Sequence, residues 1–94
     1  MIINYSQKAD KFLKTLNKES VKFIKSKIKI LSTSPEDLRN NITKLKGCDL
    51  YRLKIGNFRV IFDSEGNILN IYSIGYRKDV YDMLPGMKNR RKKG

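Results

Sequence analysis

The sequence predicts an α+β domain: an N-terminal strand, a two-helix hairpin, a three-stranded antiparallel meander and a short C-terminal helix, with the helices on one face of the sheet. Three observations predict it. Apolar residues recur at helical spacing between Ala9 and Leu31. Three β-rich runs follow in series: Leu50 to Ile55, Phe58 to Asp63 and Ile68 to Ile74. Turn residues separate the runs, Gly56-Asn57 first and Ser64-Glu65-Gly66-Asn67 second.

Taken in order, Ile2, Ile3 and Tyr5 make a short opening strand. Ser6 suits a helix cap, and Ala9, Phe12, Leu13 and Leu16 give an amphipathic helix from Ser6 to about Asn17. Ser20 suits the cap of the next helix. Its apolar stripe is Phe23, Ile24, Ile28 and Leu31, and Pro35 marks its break. Both stripes read as core. Lys22, Lys25, Lys27 and Lys29 read as a solvated face that adds to the basic field. Residues 40–49 are mostly connection, with "ITKL" extending briefly.

The hairpin "YRLKIGNFRVIF" is the most informative stretch. Gly56-Asn57 fits a two-residue turn, and that turn sets the register. Ile55 then faces Phe58, Lys54 faces Arg59, Leu53 faces Val60, Arg52 faces Ile61 and Tyr51 faces Phe62. Side chains alternate along a strand, so Tyr51, Leu53, Ile55, Phe58, Val60 and Phe62 form a core face. Arg52, Lys54 and Arg59 fall on the other. Like charges directly opposite destabilise a hairpin, and an anionic ligand would offset that cost. Centring the second turn on Glu65-Gly66 pairs Phe62 with Leu69, Val60 with Ile71 and Arg59 with Tyr72. The basic face then gains Asn70 and Tyr72. Tyr72 could stack on a base or simply be a strand tyrosine with a wet hydroxyl.

After the third strand, "GYRKDVYDMLPG" allows one helical turn from Val80 to Leu84. "KNRRKKG" is a basic tail expected to be disordered. One domain over residues 1–85 and a tail over 86–94 follow.

Composition bounds the chemistry. The 94 residues carry a formal charge of +12. That balance predicts polyanionic or acidic partners. No stretch is apolar enough to span a bilayer, and no signal peptide is visible. There is no histidine and one cysteine, Cys48. A zinc site and a cysteine nucleophile are both disfavoured, and Cys48 fits a reducing cytosol. Three readings of the basic face stay open: a solvated surface, a binding face for nucleic acid or an acidic protein, and a catalytic face for phosphate chemistry. Charge and pattern alone favour binding, since neither establishes a reaction.

The hairpin, followed by "IYSIGYRKDVY", resembles the RelE/ParE superfamily of bacterial toxins. The resemblance covers nearly the whole chain. Its most specific part is Arg52-x-Lys54, Arg59, Gly75-x-Arg77 and then Val80-Tyr81. It implies the RelE-like microbial RNase fold and, from the RelE-like branch, a cytoplasmic mRNA endonuclease that cleaves in the ribosomal A site. By that resemblance Arg52, Lys54 and Arg59 bind and activate the scissile phosphate. Arg77 stabilises transition-state charge, and Tyr81 orients the nucleotide or moves a proton. Asn70, Tyr72 and Lys78 join Arg52 in holding substrate. The implied chemistry is attack by a ribose 2′-hydroxyl, leaving a 2′,3′-cyclic phosphate, with no metal and no cofactor. Implied partners are the ribosome, mRNA and an acidic antitoxin in a toxin–antitoxin hetero-oligomer. The family often has lysine where this chain has Arg52. Arginine clamps phosphate but carries protons poorly, which shifts proton transfer to Lys54 or Tyr81. The ParE-like branch, which poisons DNA gyrase, is the alternative, and a non-catalytic RNA-binding module is another. Strict alternation through Leu69, Ser73 and Gly75 would send Arg77 to the core face. A bend or bulge near Gly75 is therefore expected.

Overall fold

The computed structural model describes residues 1–79. The helix expected at Val80 to Leu84, Tyr81 and the basic tail lie outside the described residues. The elements run β1 (Ile2–Tyr5), α1 (Gln7–Lys14), α2 (Lys18–Thr33), a 3₁₀ helix (Pro35–Asn41), β2 (Ile42–Lys44), β3 (Tyr51–Ile55), β4 (Phe58–Glu65) and β5 (Ile68–Tyr76). Residues 77–79 form a further 3₁₀ turn.

Capping chemistry places the helix ends. Ser6 caps α1, its Oγ accepting from the Ala9 N–H at 3.0 Å. The helix stops at Lys14 rather than near Asn17. Asn17 is needed elsewhere: its side chain accepts from the Ser20 N–H at 2.8 Å and caps α2. Ser20, expected as that cap, supplies the capped N–H instead. Asparagine and serine cap about equally well, so spacing alone did not separate them. Pro35 ends α2 as expected, opening the 3₁₀ helix, where its missing N–H costs nothing.

The sheet has five strands in the order β1-β5-β4-β3-β2. The expected meander β3-β4-β5 is its centre. β2 adds an antiparallel edge, pairing Ile42 with Leu53 and Thr43 with Arg52. β1 runs parallel to β5, with Tyr5 beside Ile71. The two helices carry the chain from β1 at one end of the sheet to β2 at the other, and the antiparallel strands then step back until β5 lies beside β1.

The β3–β4 register is the one that Gly56-Asn57 predicts, from Ile55↔Phe58 to Tyr51↔Phe62. The β4–β5 register is not as expected. Glu65 pairs with Ile68, so the turn is Gly66-Asn67. Gly66 has φ +59° and Gly56 φ +54°. In both turns the positive φ falls on the first central residue, where a type II′ turn takes glycine. Arg59 consequently pairs with Gly75, not Tyr72, and Phe62 pairs with Ile71. Ile61 pairs with Ser73, which leaves Tyr72 as the extra residue of a β-bulge.

The bulge exchanges the faces of β5. Leu69 and Ile71 point to the helices before it, and Ile74 does so after it. These residues join Leu53, Ile55, Val60 and Phe62 of the hairpin, and Ala9, Leu13, Ile24, Ile28 and Leu31 of the helices, in one core. Two residues depart from the expected pattern. Phe23 is 43% exposed and lies beside the β3–β4 turn, with the Lys27 ammonium 5.7 Å from its ring. Ile61 is fully buried although it points away from the helices, into the charged face.

Candidate nucleic-acid interface

The side chains of interest sit on the sheet face turned away from α1 and α2. Lys54 and Arg59 are direct cross-strand neighbours there, and Arg52 lies two residues along β3 from Lys54. Gly75 faces Arg59, and beyond it the chain carries Arg77 back over the hairpin turn. The Arg77 N–H donates to the Asn57 carbonyl at 2.9 Å. The bend that Arg77 needs is therefore present, at Tyr72 rather than near Gly75.

Three guanidinium groups are brought together. Burial pushes the Arg59 pKa below its usual value, and repulsion from Arg52 and from Arg77 pushes it the same way. Arg59 Nη1 donates to the carbonyls of Gly56 at 2.9 Å and Phe58 at 2.8 Å. Those two bonds anchor the side chain over the turn. Among the described residues no acceptor takes its Nε–H or Nη2 hydrogens. Among the described residues the one ion pair is Lys14–Asp10 at 3.7 Å. The arginines thus repel one another with no carboxylate among those residues paired to them, and Arg77 does not pair with Asp79.

Lys78 follows Arg77 just beyond the end of β5. With Asn57, Tyr76 and Arg77 it lines an open hollow of about 420 Å³. The Tyr76 ring, stacked on Phe58 at 5.6 Å between centroids and edge-on to Phe12 at 5.3 Å, forms one wall.

Asn70 and Tyr72 are set apart from this cluster by the corrected register. Asn70 pairs with Asp63, four residues along β4 from Arg59, or about 13 Å at strand rise. Asp63 organises that end. It accepts from Asn70 Nδ2 at 3.0 Å and from the Tyr72 hydroxyl at 3.1 Å. Asn70 in turn accepts from Asn4 Nδ2 at 3.0 Å. The Tyr72 hydroxyl is a donor to a carboxylate, so this end is polar and partly acidic rather than basic. Asp63 gave no sign of this role in the sequence, because the expected turn set it opposite Ile68 rather than Asn70. Tyr72 keeps 38% of its surface exposed.

The tyrosines give a pH expectation. Burial raises the Tyr5 pKa. Burial, the hydrogen bond to Asp63 and the charges of Asp63 and Glu65 raise that of Tyr72. Both folded-state values lie above the unfolded value near 10. The stability they contribute is therefore complete below about pH 10 and is lost as pH climbs through the raised values. In a spectrophotometric titration two phenols should ionise later in the native protein than in denaturant, and Tyr72→Phe should remove one of them. Five phenols titrating alike in both states would contradict this.

Among the described residues no group of three His, Cys, Asp or Glu side chains could hold a metal ion. Cys48 is a half-buried thiol in the connection between β2 and β3. No described helix is long and apolar enough to cross a membrane.

The family model of the ParE toxin of type II toxin–antitoxin systems, parDE, matches residues 3–81. The chain belongs to this toxin family. Toxin RelE3 of Methanocaldococcus jannaschii is 32% identical over 69 residues, spanning 66% of this chain and 78% of that protein. Among solved structures, the RelB–RelE antitoxin–toxin complex from Methanococcus jannaschii matches with TM-score 0.67 and 26% identity, over 87% of this chain and 99% of that one. The archaeal RelE–RelB complex from Pyrococcus horikoshii matches with TM-score 0.69 at 24% identity, over 81% and 93%. The chain is thus a RelE-like member of the RelE/ParE superfamily, the toxin of a type II toxin–antitoxin system.

Proposed function

We propose that this toxin is a ribosome-dependent endoribonuclease that cuts mRNA in the A site. The observation that carries the reading is the convergence of Arg52, Lys54, Arg59 and Arg77 on one face, with Arg59 pushed below its usual pKa by burial and by its arginine neighbours. A site that concentrates cations with no carboxylate paired to them among the described residues is suited to a reaction that builds negative charge on phosphorus. In the proposed step the ribose 2′-oxygen attacks the adjacent phosphorus and its proton passes to a base. The O2′–P bond forms, the P–O5′ bond breaks, and the 5′-oxygen leaves carrying a proton. Arg52 and Arg59 hold the non-bridging oxygens. Arg77 stabilises the charge added in the transition state. Proton transfer falls to Lys54 or Tyr81, because arginine stays protonated. Lys78 tracks the neighbouring phosphate. Tyr72 offers its exposed ring for stacking, and Asn70 acts through Asp63 to hold that ring. The test is to compare naked mRNA with mRNA on programmed ribosomes. Cleavage confined to ribosomes supports the reading; cleavage of both equally, or of neither, counts against it.

A gyrase target is the second reading, because the matching family model is that of the ParE toxin.

We also propose an acidic antitoxin as the partner, since RelE proteins are found in complex with RelB and this chain is strongly basic. Its affinity should fall steadily as salt rises from low to physiological strength, because exposed charge pairs are screened over about 8–10 Å there. Titration calorimetry at several salt concentrations reads this directly. An affinity flat with salt would mean that apolar docking dominates.

A further inference from the structure

The β5 bulge decides whether Arg77 reaches the charged face, and the bulge itself has a lock. Tyr72 has no partner on β4. Its carbonyl is instead taken by the Ser6 hydroxyl, which donates at 2.7 Å. The Ser6 N–H donates to the preceding carbonyl, Ile71, at 2.9 Å. One residue thus grips two successive carbonyls at the point where the register shifts. The same Ser6 Oγ accepts from the Ala9 N–H and caps α1. The lock closes from the other side through Asp63, which holds the Tyr72 hydroxyl.

We propose that Ser6, assisted by Asp63, is a positioning residue for Arg77: it holds the bulge that sets Arg77 beside Arg52 and Arg59. The proposal rests on the reading of Arg77 as a charge stabiliser, but its structural half stands alone. Ser6 does two jobs that substitutions can separate. Aspartate caps helices as well as serine does but has no proton to donate when ionised. Ser6→Asp therefore keeps the cap and loses the grip on Tyr72. Ser6→Thr keeps both, and Ser6→Ala loses both.

The test pairs amide hydrogen exchange with single-turnover cleavage on ribosomes. In Ser6→Asp the Arg77 N–H, bonded to Asn57, should exchange about fivefold faster relative to the Val60 N–H, the scale of one lost hydrogen bond. The Ala9 N–H should keep its protection. The cleavage rate should fall while ribosome affinity holds, and Ser6→Thr should restore both readouts. Unchanged Arg77 exchange in Ser6→Asp overturns the lock, and so does a Ser6→Thr variant as impaired as Ser6→Asp. If Ser6→Asp does not fold, Tyr72→Phe carries the test: it deletes only the Asp63 bond and should also speed Arg77 exchange, and no change overturns the proposal. If the wild type cleaves nothing, the exchange result still decides the lock, and the proposed function alone fails.

Discussion

Replacing Arg77 with alanine should lower single-turnover cleavage on ribosomes by about 10²-fold or more, the scale of losing one preorganised charge stabiliser. Ribosome affinity should fall much less. Arg52, Lys54, Arg59 and Lys78 remain, as do the helix lysines, and general phosphate attraction is shared among them. The contrast follows from position. Arg77 reaches the face only through the bulge, and its backbone is tied to the Asn57 carbonyl. In a pure binding module there would be no chemical step to lose. Arg77→Ala would then cost about what any other cation of the patch costs. Rapid-quench measurements with saturating ribosomes separate the two cases. A cleavage rate equal to that of the wild type would remove Arg77 from the catalytic set.

Leu53→Ala should be the most damaging change to the fold. Leu53 is fully buried, and on β3 it stands between Arg52 and Lys54, paired with Ile42 on one side and Val60 on the other. Truncation removes its transfer free energy and leaves a cavity under the central hairpin. Losses of about 2–5 kcal/mol are typical of such sites, a large share of the stability of a small domain. Urea unfolding reads the loss as a lower midpoint at unchanged slope. Phe23→Ala makes the control. Phe23 is as large but 43% exposed, so its removal should cost much less. Equal losses would mean that the core is not where the structure places it.

The site was only partly legible in the sequence, and the divide is physical. The Lys54–Arg59 pairing follows from Gly56-Asn57, because a two-residue turn fixes register locally. At the second turn, Gly66 can serve with either neighbour. The choice of Glu65-Gly66 over Gly66-Asn67 displaced every β4–β5 pair and moved Tyr72 beside Arg59. The requirement for a bend before Arg77 was visible, because alternation alone put Arg77 on the wrong face. Its place was not. The bulge at Tyr72 is held by Ser6, 66 residues away, and no local pattern reports so distant a partner. The parallel pairing of β1 with β5 escaped for the same reason. Ser6 was recognised as a cap, but its hydroxyl has a second bond that only the tertiary structure supplies.

Whether the arginine face cuts RNA held in the ribosomal A site is decided by mapping mRNA ends, with their chemistry, on ribosomes stalled at a defined codon, with a gyrase assay on the same preparation. New ends are expected within the A-site codon, with a 2′,3′-cyclic phosphate on the upstream fragment, a 5′-hydroxyl on the downstream one, and gyrase unaffected. Intact mRNA together with gyrase trapped on cleaved DNA would contradict it.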